Sequence, residues 1–248
     1  MVLLFFAMGC AGRVGTLREA EVSPAAILAR LQQRHLELAG FRAAGTLQLI
    51  APSQRMSGKV FLAARMPNLL RLELLSSMGQ PVLYFVSDGQ HYTVWSPGKS
   101  QAYTGTSSDD SLFELFELPV KDHEALLLLA GRLATRDFAA TKIMRDARSG
   151  DLLLTLFNSA AGVTKLVWLD ASGTRAKSVE VLGRNGRQLQ VRFDNFKWTD
   201  GFFHPMELTL EASKVRFTLR YQKFLATGPA DDEAFRLKLP PDVKILPR

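Results

Sequence analysis

Cys10 is the sole cysteine in 248 residues, so no disulfide can form within the chain and no cysteine-rich metal site is available. Histidine is nearly as scarce. His35, His91, His123 and His204 lie far apart, and no pair has the helical spacing of a zinc site. The sequence holds no GxSxG elbow, no P-loop and no Gly-rich dinucleotide fingerprint. These absences argue against the motif-defined hydrolases, nucleotide enzymes and dinucleotide oxidoreductases. They nominate no catalytic residue, no metal and no cofactor, so the chain reads as a non-enzyme. Asp88 and His91 come nearest to an acid–base pair, but Asp88-Gly89 reads first as a turn. Long apolar runs are missing too: no stretch of 18 apolar residues exists, which excludes a polytopic helical membrane protein.

What is present is globular. Hydrophobic residues make up 47% and charged residues 22%, enough for a sizeable core. Lys and Arg outnumber Asp and Glu by 31 to 24, giving +7. The charges are interspersed, which means a solvated surface first and an anionic surface as partner second. Aromatic and basic residues do not interleave as a single-strand binder needs, so nucleic acid is not an expected partner.

The N-terminus reads as an export signal, the other reading being an inert Cys10 at a frayed end. Met1 to Gly9 reads MVLLFFAMG, an apolar run closed by a small residue before Cys10. That is the outline of a lipoprotein cleavage site, although the run has no Lys or Arg and Ala7 stands where Leu is usual. Residues 1–9 are expected to be a signal-peptide remnant, Cys10 the lipid-attachment residue, and 10–23 a lipidated tether. Several acyl chains at about 0.8 kcal/mol per buried methylene would anchor the protein stably. A single domain is expected over 24–248.

Ser23-Pro24 has N-cap and first-turn chemistry, opening a helix with Ile27, Leu28, Leu31, Leu36 and Leu38 on one side up to Gly40. From Phe41 the period is two. Leu47 and Leu49 alternate with Thr46 and Gln48, Val60, Leu62 and Ala64 with Lys59 and Arg65, and Leu70, Leu72 and Leu74 with Arg71 and Glu73. Pro81 to Ser87, with Leu83 and Phe85, and two further short runs complete this half. Two helices follow, over 107–118 with Leu112, Leu115 and Phe116, and over 122–133 with Leu126, Leu127 and Leu129. Strands are then expected over 152–158, 164–170, 177–182, 189–198, 204–211 and 214–224, with Asn185-Gly186 the strongest hairpin turn. Asn195 interrupts its strand, and a bulge is expected there.

About eleven strands with two inserted helices imply a mainly β protein. The expected architecture is one curved antiparallel sheet, an open half-barrel whose apolar face is covered by a helical lid. The enclosed space is an apolar cavity. Its expected lining is Leu47, Leu49, Val60, Leu62, Leu70, Leu72, Leu74, Leu83 and Phe85 from strands, with Leu115, Phe116 and Leu127 from the lid. Two surface features stand out. Met78, followed by Gly79, tips the loop Ser76 to Gln80, where it either folds back on its sheet or projects into a bilayer. Lys214, Arg216 and Arg220 stand at even spacing as a cationic stripe, read either as a solvated strand face or as a contact for anionic head groups.

The order of these segments resembles the LolA/LolB-like outer-membrane lipoprotein carriers and receptors. The resemblance runs over roughly 25–225 and is carried by FRAAGTL at Phe41, by RLELLSSMGQPVL from Arg71, and by FELPV at Phe116 followed by LLLAGR ending at Arg132. It implies a non-catalytic, monomeric lipoprotein on the periplasmic face of the outer membrane. Such a protein receives acylated lipoproteins or lipids from a periplasmic LolA-like carrier. In LolB-like receptors the loop matching Ser76 to Gln80 carries an exposed leucine, implicated in inserting acyl chains into the membrane, and Met78 holds that position here. Two alternatives stay open: an assembly or docking lipoprotein of the envelope, and a carrier of another envelope lipid.

Overall fold

The computed structural model describes residues 16–36, 38–107, 112, 116–199, 201–227 and 232–247. Cys10 and Leu115 lie outside them. Within this part the chain forms one open sheet of fifteen strands. In chain order β1 (Leu17–Glu19) precedes helix α1 (Pro24–Leu36). Six strands follow: β2 (Gly40–Ile50), β3 (Arg55–Arg65), β4 (Leu69–Leu75), β5 (Pro81–Ser87), β6 (His91–Trp95) and β7 (Gln101–Thr106). After the lid segment and helix α2 (Asp122–Leu129) come β8 (Ala139–Asp146), β9 (Leu152–Asn158), β10 (Val163–Leu169) and β11 (Ala176–Gly183). The last four are β12 (Gly186–Thr199), β13 (Phe202–Ala212), β14 (Val215–Thr227) and β15 (Lys244–Pro247).

The spatial order is β1-β8-β9-β10-β11-β12-β13-β14-β2-β3-β4-β5-β6-β7-β15. Every neighbour is antiparallel except β15, which runs parallel to β7. Three steps join strands distant in sequence, β1 to β8, β14 to β2 and β7 to β15, and the central one sets Leu219 opposite Leu47 and Phe217 opposite Leu49. It fuses two meanders into one surface. The short strands β1 and β15 close the two outer edges, which would otherwise offer unpaired backbone groups.

Alternation decides which side chains face in. Along β2, Phe41, Ala43, Leu47 and Leu49 are buried while Arg42, Thr46 and Gln48 are exposed. The same rhythm in β9, β10 and β12 gives one continuous core on one face of the sheet, the concave side. A small second cluster lies on the convex side. There Phe235 of a short 3-10 turn (Asp232–Phe235) packs on Val86, and the Arg71 guanidinium donates to the carbonyls of Ala234 (3.2 Å) and Arg236 (3.3 Å).

Four expectations are corrected. The strand count is fifteen, not about eleven, because Leu17–Glu19, Ala139–Asp146 and Lys244–Pro247 pair without an alternating pattern. Leu17–Glu19 therefore belongs to the sheet and not to a free tether. Helix α1 ends at Leu36, and α2 ends at Leu129, not Leu133. Its stop is a Schellman motif: the Arg132 N–H bonds the Leu127 carbonyl (2.7 Å) and the Gly131 N–H bonds that of Leu128 (2.9 Å). Gly131 has φ 67° and a Cβ there would sit 2.5 Å from Pro205, so glycine is needed twice over. The expected bulge is absent. Register runs unbroken from Asp194 opposite Glu207 to Phe196 opposite Pro205, while Asn195 takes φ 56° and donates to Glu207. That left-handed residue leaves Phe196, and not its neighbours, packed against the core.

Candidate functional site

Between the concave face and the lid lies a cavity of about 60 Å³, and every side chain lining it is apolar. Leu47, Leu49, Leu62, Leu70, Leu72, Leu74 and Leu83 form its wall from β2 to β5, all of them expected from alternation. Phe116 closes it from the lid, also as expected.

Three expected residues do not line it. Val60 and Phe85 are 1% exposed, packed behind the wall, where Phe85 meets Phe116 edge to face at 6.0 Å. Leu127 is half-buried and turned aside, because the helix rotation brings Ala125, Leu128 and Leu129 over the cavity instead. Sequence reasoning missed the opposite wall, Leu208 and Leu210 of β13 with Phe217 and Leu219 of β14. Their alternation is plain in the sequence, but only the pairing of β14 with β2 brings them to this space.

Polar contacts tie the described part of the lid to the sheet. The Ser53 hydroxyl and N–H bond the Glu117 carboxylate, clipping the lid loop to the β2–β3 turn. The Leu112 N–H bonds the Asp122 carboxylate at 2.8 Å, joining the two lid segments. On β10, Lys165 is buried and reaches Glu124 of α2 at 2.7 Å and the Ala134 carbonyl at 3.0 Å, with its ammonium 4.3 Å from the Phe138 ring centre. At the far end of α2 the Tyr221 hydroxyl donates to the Leu129 carbonyl at 2.7 Å. Full burial pushes that hydroxyl far above its usual pKa, so it stays a donor. His204 stacks on Phe224 at 3.5 Å beside it. Burial first, and then the neighbouring Arg132, lower its pKa to about 3, against the opposing hydrogen bond to the Ala130 backbone. His204 is therefore a neutral packing residue at neutral pH.

No polar constellation competes with the cavity. Asp88 accepts from the N–H groups of Gln90 (2.8 Å) and His91 (2.7 Å), which is turn chemistry. Burial works against its carboxylate, but those bonds outweigh it and hold the pKa below the usual value. Among the described residues no group of three His, Cys, Asp or Glu could hold a metal ion. Arg216 and Arg220 of the cationic stripe pair across the strand with Glu211 (2.9 Å) and Glu207 (3.0 Å), as a solvated face does.

Met78 is 83% exposed at the tip of its turn. The Ser76 N–H bonds the Gln80 carbonyl at 2.8 Å and the Gly79 N–H bonds the Ser76 carbonyl at 2.9 Å. Gly79 takes φ 83° with open space around it, so the turn is held while the methionine points away from the sheet. Val82, exposed beside it, extends the apolar tip.

No family model and no curated protein matches the sequence. Solved structures do match in shape. A LolA superfamily protein from Nitrosomonas europaea superposes with a TM-score of 0.58 at 15% identity, over 87% of this chain and 98% of its own. An outer membrane lipoprotein-sorting protein domain from Vibrio parahaemolyticus gives 0.60 at 13% identity, over 86% and 97%. A DUF1329 family protein from Desulfovibrio piger gives 0.55 at 9% identity, over 86% and 95%. The chain has the LolA/LolB-like fold.

Proposed function

We propose that this protein is a LolB-like envelope lipoprotein that takes acyl chains of lipoproteins under its lid and passes them to the outer membrane. The observation that carries the reading is the wholly apolar cavity roofed by two lid segments. A closed void of about 60 Å³ is well short of the roughly 300 Å³ of a ligand pocket, so a chain enters by displacing lid residues such as Leu128 and Leu129. A 16-carbon chain leaving water gains on the order of 12 kcal/mol at about 0.8 per methylene. Exchanging lid leucines for methylenes, or one apolar site for another, changes little of that. Each lid hydrogen bond contributes only about 1 kcal/mol. Transfer can then run without an energy source, provided the chain stays out of water.

Cys10 would carry the anchor, residues 10–16 the free tether, and Met78 with Gly79 would guide release into the bilayer. The delivering partner would be a periplasmic LolA-like carrier, and the receptor would act as a monomer. The test is a titration of Cys10→Ser protein with a fluorescent triacylated lipopeptide, with a plain fatty acid as competitor. Saturable binding that the fatty acid displaces poorly supports a lipoprotein receptor. Equal displacement points to a carrier of another envelope lipid. The small closed cavity favours a second reading, a docking platform, and absence of binding to either ligand by folded protein would establish it over the first.

A further inference from the structure

The two ends of the sheet differ in charge, and the difference is written in the turns. Register places six hairpin turns at one end: residues 51–54, 76–80, 96–100, 159–162, 184–185 and 213–214. Their sequences are APSQ, SSMGQ, SPGKS, SAAG, RN and SK, without one Asp or Glu. Lys99, Arg184 and Lys214 lie in them, and Arg55 and Arg187 flank them, all five exposed. The opposite end mixes both signs. Asp88, Asp146, Asp151 and Asp170 sit there beside Arg148, Arg175 and Lys177, with Asp170 paired to Arg175 and Asp151 to Lys177, and three of the aspartates cap their turns through backbone N–H groups, as Asp146 does at Arg148 and Ser149 (2.8 Å each). Hairpin turns favour Asp for that bond, so its absence from all six turns of one end is a property of the end and not of the turns.

Among the described residues, the acids near this end are largely engaged: Glu211, which lines the groove below, pairs with Arg216, Glu124 pairs with Lys165, Glu117 is bound to Ser53, and Asp137 and Asp242 precede β8 and β15 toward the sheet's two sides. A groove of about 490 Å³ opens at the middle of this end, with Arg187, Lys214 and Arg216 along its rim and Ala212 and Val215 in its floor. Met78 projects from the same end. Its hairpin and the β13–β14 turn are three strand spacings apart, about 14 Å at ~4.8 Å each, close enough to meet one flat surface together.

We infer that this end is a docking face for an anionic phospholipid bilayer: Met78 enters the apolar layer while Arg184, Arg187 and Lys214 bind phosphodiester head groups, the groove holding one of them. Charge complementarity commits the face to that partner, since an apolar tip sharing its end with acid-free turns that carry exposed Lys99, Arg184 and Lys214 fits a negatively charged interface. The inference shares its use of Met78 with the proposed function but needs no acyl chain in the cavity.

The experiment is co-sedimentation of the full chain carrying Cys10→Ser with phosphatidylcholine vesicles, with and without phosphatidylglycerol. Binding to the anionic vesicles is expected, falling steeply as salt rises. Each lysine or arginine near such a surface is worth about fivefold. The exposed double variant Arg187→Glu with Lys214→Glu should therefore lose on the order of thirtyfold or more, while Arg148→Glu at the opposite end binds like the parent. Equal binding to both vesicle types, salt-independent binding, or an unchanged double variant would overturn the inference. Binding of the fluorescent lipopeptide without vesicles is read in parallel. If that fails while anionic vesicles still bind, the docking face stands and the acyl-carrier reading falls.

Discussion

The two wings of the sheet solve the same problem differently. In the wing from β8 to β11 the concave face is filled by its own side chains. Leu154, Leu156 and Leu169 are fully buried, and Ile27 of α1 packs so closely that a Cβ on Gly173 would lie 2.6 Å from it. The space left beside the Lys165–Glu124 pair is about 20 Å³. In the wing from β2 to β5, completed by β13 and β14, the same kind of leucine wall faces a lid that leaves about 60 Å³ empty. One sheet thus carries a packed half and a half whose cover leaves a larger void. The boundary between them is polar: Lys165, Tyr221 and His204 all touch α2 or its C-terminal turn.

The sharpest way to break that comparison is to truncate one leucine in each wing. Leu154→Ala should cost about 4 kcal/mol in a urea titration, since a fully buried site cannot collapse. Leu72→Ala, on the half-buried cavity wall, should cost only about 1 to 2 kcal/mol. Equal costs would mean that the cavity wing is as tightly packed as the other.

Acid probes the boundary next. His204 protonates near 6.5 when unfolded and at about 3 when folded, so the unfolded state binds the extra proton between those values. Stability is then complete above pH 6.5 and falls as the pH drops, by roughly 3 kcal/mol at pH 4. His204→Phe should flatten that slope between pH 6.5 and 4, and an unchanged slope would assign the loss to other groups. Asp170 adds a later loss. Burial raises its pKa, but bonds from Arg175, Ser172 and Thr174 lower it further, so its contribution disappears as the pH falls through that depressed value.

Filling the void sharpens the comparison from the other side. Leu208→Phe should change stability by less than about 1 kcal/mol, because the cavity accepts the added atoms, yet weaken lipopeptide binding several-fold. The smallest stability effect is expected at Met78. Met78→Glu should shift the urea midpoint by no more than about 0.5 kcal/mol and leave lipopeptide binding intact, while abolishing transfer into liposomes. Undiminished transfer would remove Met78 from the mechanism.

Much of the wall was legible beforehand. Leu47, Leu49, Leu62, Leu70, Leu72, Leu74 and Leu83 all follow from period-two alternation, because in a pleated strand spacing alone decides the face. The helix at Pro24 was equally legible from its first-turn chemistry. Leu127 was misread because the short, nearly all-leucine α2 has no polar side in its second half to set the rotation, and packing set it instead. β8 escaped notice because Ile143 is its one buried residue, and β1 and β15 because edge pairing asks for backbone groups and not for a pattern.

The sequence by itself determined the mainly β class, the face that β2 to β5 turn inward, the turn that carries Met78 and the lack of a motif-defined catalytic site. Those properties are local: they depend on neighbours within a few residues, where pleat and turn geometry leave little choice. Only the tertiary structure decided that β14 closes against β2, that Leu208, Leu210, Phe217 and Leu219 become the second wall, and that six acid-free turns share one end. These depend on strand order, and strand order is chosen by the summed burial of the whole sheet, which no window of the sequence contains.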